Sequence, residues 1–75
     1  SGGGAQTDFL EVDEALNELE KFDKRKAQVV VMKFFGGLME DEIAFALNVS
    51  VETVRRDWRL AKVWLFKYLS KKGSA

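Results

Sequence analysis

The sequence contains no cysteine, no histidine and no proline. Without cysteine there is neither a disulfide nor a thiolate nucleophile, and without cysteine and histidine the usual zinc ligand sets cannot be assembled. The lack of histidine also removes the commonest general acid–base group. No pairing of nucleophile and base and no metal-ligand spacing can be built from the rest, so the sequence implies no catalytic residue, no metal and no cofactor. Beyond residues 1–5, SGGGA, the only glycines are Gly36, Gly37 and Gly73. Such sparse punctuation favours helices joined by short turns. No run approaches the ~18 apolar residues of a membrane span, and no secretory signal pattern is seen. The absence of cysteine fits a cytoplasmic protein without a membrane partner.

The 75 residues suffice for one domain. A chain this short buries only about 60% of the surface exposed when unfolded. Its core must therefore be compact, and an apolar content of 47% makes that feasible. The formal net charge of zero conceals a strong asymmetry. Residues 1–23 carry seven acids and one base, 24–36 four bases, 37–49 three acids, and 50–75 seven bases and two acids. The start of the chain is acidic and its end basic. Local charge of this kind, rather than the net value, governs attraction to phosphate.

Four helices are expected. The first covers about residues 12–22, with Phe9, Val12, Ala15, Leu16, Leu19 and Phe22 on one face at helical spacing. Asp23 is placed to cap a second helix over about 24–35. Its main apolar stripe is Ala27, Val30, Val31 and Phe34, widened by Val29, Met32 and Phe35. The β-branched run at 29–31 would suit a strand, but no partner strand exists elsewhere. Gly36 and Gly37 end this helix, since glycine enters the left-handed region without a Cβ penalty. A short third helix over 40–47 begins with Glu40, Asp41 and Glu42, acids that complement the positive end of its dipole. That explains the cluster better than a metal site. Ile43, Ala44 and Leu47 face inward, and Phe45 falls off the inner face, with partial exposure expected. Asn48 tolerates a left-handed turn. Ser50 then caps a long fourth helix over about 51–69. Val51, Val54, Trp58, Ala61, Leu65 and Leu69 form its stripe, so Trp58 is expected in the core.

The segment 40–65 carries the functional signal. A short helix is followed by the turn Asn48-Val49-Ser50 and a longer helix with a basic outer face. A helix-turn-helix needs a small residue where the helices cross, a turn residue that accepts positive φ, and an apolar anchor six residues later. Ala44, Asn48 and Val54 meet these needs in order. The motif places the start of its second helix in the major groove. Val51, Glu52, Arg55 and Arg56 are outward there. Arginine can bond guanine bidentately and glutamate can accept from cytosine N4. Val51 is ambiguous, able to pack inward or to touch a thymine methyl. Arg59 and Lys62, one and two turns on, suit phosphate, as do Lys33 and Ser50. An arginine pair on a surface helix can also merely solvate the fold; the joint spacing is what favours DNA. The expected fold class is all-α, a small four-helix domain with a C-terminal helix-turn-helix, of the winged-helix-like DNA-binding class without a wing.

Several segments together resemble region four of bacterial sigma factors of the extracytoplasmic-function (ECF) group. They are Asp13-Glu14-Ala15-Leu16, Phe34-Phe35-Gly36-Gly37-Leu38, Glu42-Ile43-Ala44 and the run 49–65, VSVETVRRDWRLAKVWL. The resemblance spans residues 10–69. It implies a domain that reads the promoter element near position minus 35. Val51, Glu52, Arg55 and Arg56 would face bases, and Lys33, Ser50, Arg59 and Lys62 the backbone. It further implies docking on the beta flap of RNA polymerase and masking by an anti-sigma factor. The acidic first helix and apolar last helix are the surfaces expected for those proteins. Met39 departs from the Ser or Thr that usually caps the third helix, and Asn48 from the commoner glycine. The sequence holds no domain of the kind that melts the minus 10 element, so the chain is expected to be an excised domain, with a stand-alone regulator as the alternative. Residues 1–7 would be a tag or linker, 8–70 the domain and 71–75 a tail.

Two other readings compete. A DNA-binding domain of a LuxR-type regulator shares the Gly-Leu, Glu-Ile-Ala and Thr-Val core, but usually has a polar residue or histidine where Trp58 stands. It would bind paired half-sites as a dimer. A protein-interaction module could keep the helix-turn-helix shape without DNA affinity. The apolar end of the last helix favours it, and the basic face of Arg55, Arg56, Arg59 and Lys62 argues against it.

Overall fold

The computed structural model describes residues 3–73, with side chains for 11–71. Four helices follow in order: α1 (Gly3–Phe22), α2 (Lys24–Val30), α3 (Glu40–Leu47) and α4 (Val51–Gly73). A π-helical turn, Val31–Phe35, continues α2 without a break. No strand occurs among the described residues, so the all-α class is met and the β-branched run at 29–31 is helical. The outer helices exceed expectation. α1 starts at Gly3 rather than near residue 12, there being no glycine or proline between Ala5 and Phe22 to stop it. α4 runs to Gly73 rather than to about 69, for the same reason. The side chains of Phe9 and Lys72 lie outside the described residues.

Each junction is set locally. Asp23 is extended (φ −152°, ψ 97°), and its carboxylate accepts the Lys26 N–H at 3.2 Å, a side-chain cap for α2. At the far end the Gly36 N–H reaches back five residues to the Val31 carbonyl at 2.9 Å, which is the π pattern. Gly37 then turns left-handed at φ 67°, and the Leu38 N–H closes onto the Met32 carbonyl at 3.0 Å. Gly36 itself stays right-handed. A Cβ there would stand 2.7 Å from the Met32 carbonyl oxygen, so close backbone approach is what requires glycine. α3 starts without a hydroxyl cap. Instead Glu42 accepts the Met39 N–H at 2.8 Å, and Asp41 accepts the Glu42 N–H at 3.0 Å.

Two buried clusters share one residue. Leu16 and Leu19 of α1, Ala27 and Val30 of α2 and Ala61 of α4 form the first, with Val12, Trp64 and Leu65 against it. Val29, Ile43, Ala44 and Val54 form the second, joining α2, α3 and α4, with Met32, Leu38 and Leu47 against it. Trp58 packs on both and is half-buried, so it is the seam between the clusters rather than a fully enclosed core residue.

Several expected core positions face out. Val31, Phe34 and Phe35 are exposed because the π turn breaks the 3.6-residue periodicity that would have carried Val30's direction on to Phe34. The two rings instead meet edge-on at 5.2 Å. Phe22 is 72% exposed, at the last residue of α1, and lies against Trp64 with ring centroids 6.4 Å apart. Phe45 is 90% exposed, well beyond partial exposure. It stands opposite the Ile43–Ala44 face that α3 buries.

Candidate nucleic-acid interface

The turn between α3 and α4 fixes how the basic helix is presented. Asn48 adopts φ 58°, ψ 47°. Its N–H donates to the Phe45 carbonyl at 3.3 Å and the Val49 N–H to the Ala44 carbonyl at 3.0 Å. This is a Schellman closure of α3. Its usual hydrophobic partner contact is present, because Val49 packs on the cluster that contains Ala44. Ser50 Oγ accepts the Thr53 N–H at 3.1 Å and starts α4. Val54, fully buried, anchors the first turn against Ile43 and Val29.

That anchoring turns one face of α4 outward. Glu52, Arg55, Arg56, Arg59 and Lys62 are all exposed. Val51 packs on the second cluster and is half-buried, so it faces the core first and offers solvent only its remainder. The Ser50 hydroxyl also bonds Thr53 Oγ1 at 2.9 Å, and a phosphate contact there would have to exchange that bond. Lys33, from the π turn, and Lys62, from α4, place their ammonium groups 5.7 and 5.2 Å from the centroid of the Trp58 ring. Two cations far apart in sequence are thus gathered at one indole by cation–π attraction.

Arg55 differs from its neighbour. Its Nε donates to Glu40 Oε1 at 2.8 Å, tying α4 to the first residue of α3. This bond lowers the Glu40 pKa below the ordinary carboxylate value and raises that of Arg55. Among the described residues the Arg56 side chain has no hydrogen-bond or ion-pair partner. The acids 40–42 are thereby accounted for: one holds an arginine and two hold backbone amides.

The sequence reading missed a buried charge cluster. Asp57 is 1% exposed and sits on the inner side of α4, between Val54 and Ala61. Its Oδ2 accepts Arg25 Nε at 2.6 Å and its Oδ1 the Arg25 Nη2 at 3.5 Å. Lys26 Nζ lies 3.5 Å from Oδ1 and 2.7 Å from Asp23 Oδ2. Asp57 therefore clamps α2 to α4 from behind the basic face. The signal was legible in part, since an acid three residues after Val54 and four before Ala61 falls on the buried stripe. Its partners Arg25 and Lys26, 32 and 31 residues away, could not be read from spacing.

Other exposed surfaces are apolar. Leu60, Val63 and Phe66 protrude from α4, while Trp64 is covered by Phe22 and stacks on Tyr68 at 5.2 Å. The end of α4 is thus partly covered by α1 and partly open. Between α1 and the π turn runs a groove with Leu16, Val31, Met32 and Phe35 along it and Asp13 and Glu20 at its side. No helix among the described residues is long and apolar enough to cross a membrane.

Comparison with curated proteins and with solved structures gives no match. Comparison with protein families does: the model of the ECF sigma factor family matches residues 4–71. The match runs through all four helices, including the α3–turn–α4 unit and its basic face, and the chain belongs to the ECF sigma factor family, whose members act in transcription initiation.

Proposed function

We propose that this domain binds double-stranded promoter DNA near position minus 35, in the bacterial cytoplasm, as the promoter-reading part of a sigma factor held by RNA polymerase. The role is recognition, with no chemical step. Arg55, Arg56, Glu52 and the accessible part of Val51 face bases. Lys33, Ser50, Arg59 and Lys62 face phosphates. The observation that carries the reading is the placement of Lys33 and Lys62 on Trp58 beside the outward arginines of α4. Cations from two helices are held along one side of a helix whose first turn is rigidly set by Asn48 and Ser50. Such an arrangement combines backbone positioning with base-edge readout. The groove beside α1 and the exposed Leu60, Val63 and Phe66 support contacts with the polymerase beta flap and with an anti-sigma factor.

Selection of duplexes from a random pool by the purified domain, followed by anisotropy across a salt series, tests this. One short asymmetric motif bound by a monomer is expected. Three lysine and arginine phosphate contacts predict a slope of roughly −3 in log K against log salt. A palindrome bound by a dimer would instead indicate a LuxR-like regulator. No enrichment at low salt would sink DNA reading by this domain and leave protein interaction as its role.

A further inference from the structure

We infer that Glu40 is a specificity-determining residue of the interface, a positioning carboxylate that orients the Arg55 guanidinium for one base; this rests on the base-reading role proposed for Arg55. The geometry is asymmetric in an informative way. Glu40 binds through the Nε of Arg55, at 2.8 Å. An arginine carries five N–H donors in a planar fork. With Nε engaged from the protein side, the Nη edge is left pointing away, and two parallel donors on that edge match O6 and N7 of guanine. The side chain of Glu40 is 29% exposed and that of Arg55 63%, so the carboxylate is the inner, supported partner and the guanidinium the protruding one. Glu40 belongs to the ordered first turn of α3, where its charge suits the helix dipole, and Lys33 supplies a second positive charge near it.

Arg56 lacks any such support among the described residues. The arginine pair therefore divides its labour. Arg55 is pre-organised and reads one base. Arg56 reaches its base without a protein partner to hold it, and ordering it on binding costs conformational entropy. The carboxylate has an opposite effect on general attraction, because its charge faces the same side as DNA phosphates and repels them. Glu40 therefore weakens binding to any duplex while sharpening the choice among duplexes.

Opposed signs make the inference testable. The unmodified domain, Glu40→Ala, Glu40→Gln, Asp41→Ala and Arg55→Ala are compared on the duplex selected by the unmodified domain and on a scrambled duplex of equal length. Glu40→Ala should bind the scrambled duplex at least as tightly as the unmodified domain, yet lose about tenfold in the ratio of selected to scrambled affinity. The loss should fall at the base pair that Arg55→Ala relaxes, and adding Glu40→Ala to Arg55→Ala should lower the ratio no further. Glu40→Gln keeps an acceptor for Nε and should retain most of the ratio. Asp41→Ala removes the same charge from the same helix turn without touching Arg55, and should leave the ratio unchanged. A Glu40→Ala ratio equal to or above that of the unmodified domain overturns the positioning role; a rise would make Glu40 a mask on Arg55 instead. Absence of any selected motif for the unmodified domain would strike at DNA reading itself, a separate outcome from an unchanged ratio.

Discussion

Asp57 illustrates what a single residue does in so small a core. A carboxylate this deeply buried is costly unless charges and hydrogen bonds surround it, and Arg25 and Lys26 provide both. Removing it strands Lys26 with Asp23 alone and leaves Arg25 to rehydrate at its open side. Asp57→Ala should therefore destabilise the domain by about 2–3 kcal/mol, short of the ~3–5 kcal/mol for breaking a fully buried pair because Arg25 is partly in solvent. Chemical denaturation reads this directly, and a change under 0.5 kcal/mol would contradict the clamp. Asp23 gives a second residue-scale prediction. Its bonds to Lys26, chiefly side chain to side chain, hold its pKa below the ordinary value of 3.8. A depressed carboxylate pKa adds stability above the unfolded value and loses it as pH falls through the folded one. Unfolding free energy should thus fall below about pH 4 in the unmodified domain, and fall less in Asp23→Asn, which caps but cannot titrate. Equal acid slopes in the two proteins would refute the assignment.

At the scale of elements, what could be read in advance was whatever depends on neighbours in sequence. Asp23, Asn48 and Ser50 act within three to five residues of themselves, and the helix starts and the α3–α4 turn follow the expected pattern. The outward set on α4 is likewise fixed by a stripe of period 3.6. The π turn escaped because nothing in the sequence 31–35 distinguishes a carbonyl paired five residues on from one paired four on. Its stabilisation comes from Gly36 fitting against Met32 and from Gly37 turning left-handed. The Asp57 clamp and the Glu40–Arg55 pair escaped because they join separate helices. Gly36→Ala tests the turn: its Cβ would meet the Met32 carbonyl oxygen, so backbone must shift. A loss of at least ~1 kcal/mol is expected, above the benefit glycine-to-alanine usually brings in helical conformation. Hydrogen exchange should show the Gly36 and Leu38 amides losing protection first.

For the whole molecule, the two clusters meeting at Trp58 make the basic side of α4 and the core mechanically continuous. The exposed Val63 and Phe66 lie beside Lys62 and Lys67, farther along the outward side of the same helix, while most of the acids belong to α1. A formal charge of zero is therefore the sum of unlike segments, an acidic first helix and a basic last one. The distribution of the two tryptophans follows this division. Trp58 lies beneath Lys33 and Lys62, whereas Trp64 sits among Phe22 and Tyr68, where α1 meets the end of α4. The chain thus carries an intrinsic optical probe at each of these places. With Trp64→Phe leaving a single indole, emission should shift when duplex draws Lys33 and Lys62 from the Trp58 ring, and stay constant when a protein docks where α1 meets the end of α4. With Trp58→Phe the responses should exchange, so unlabelled domain would report by colour which of the two places a ligand has taken.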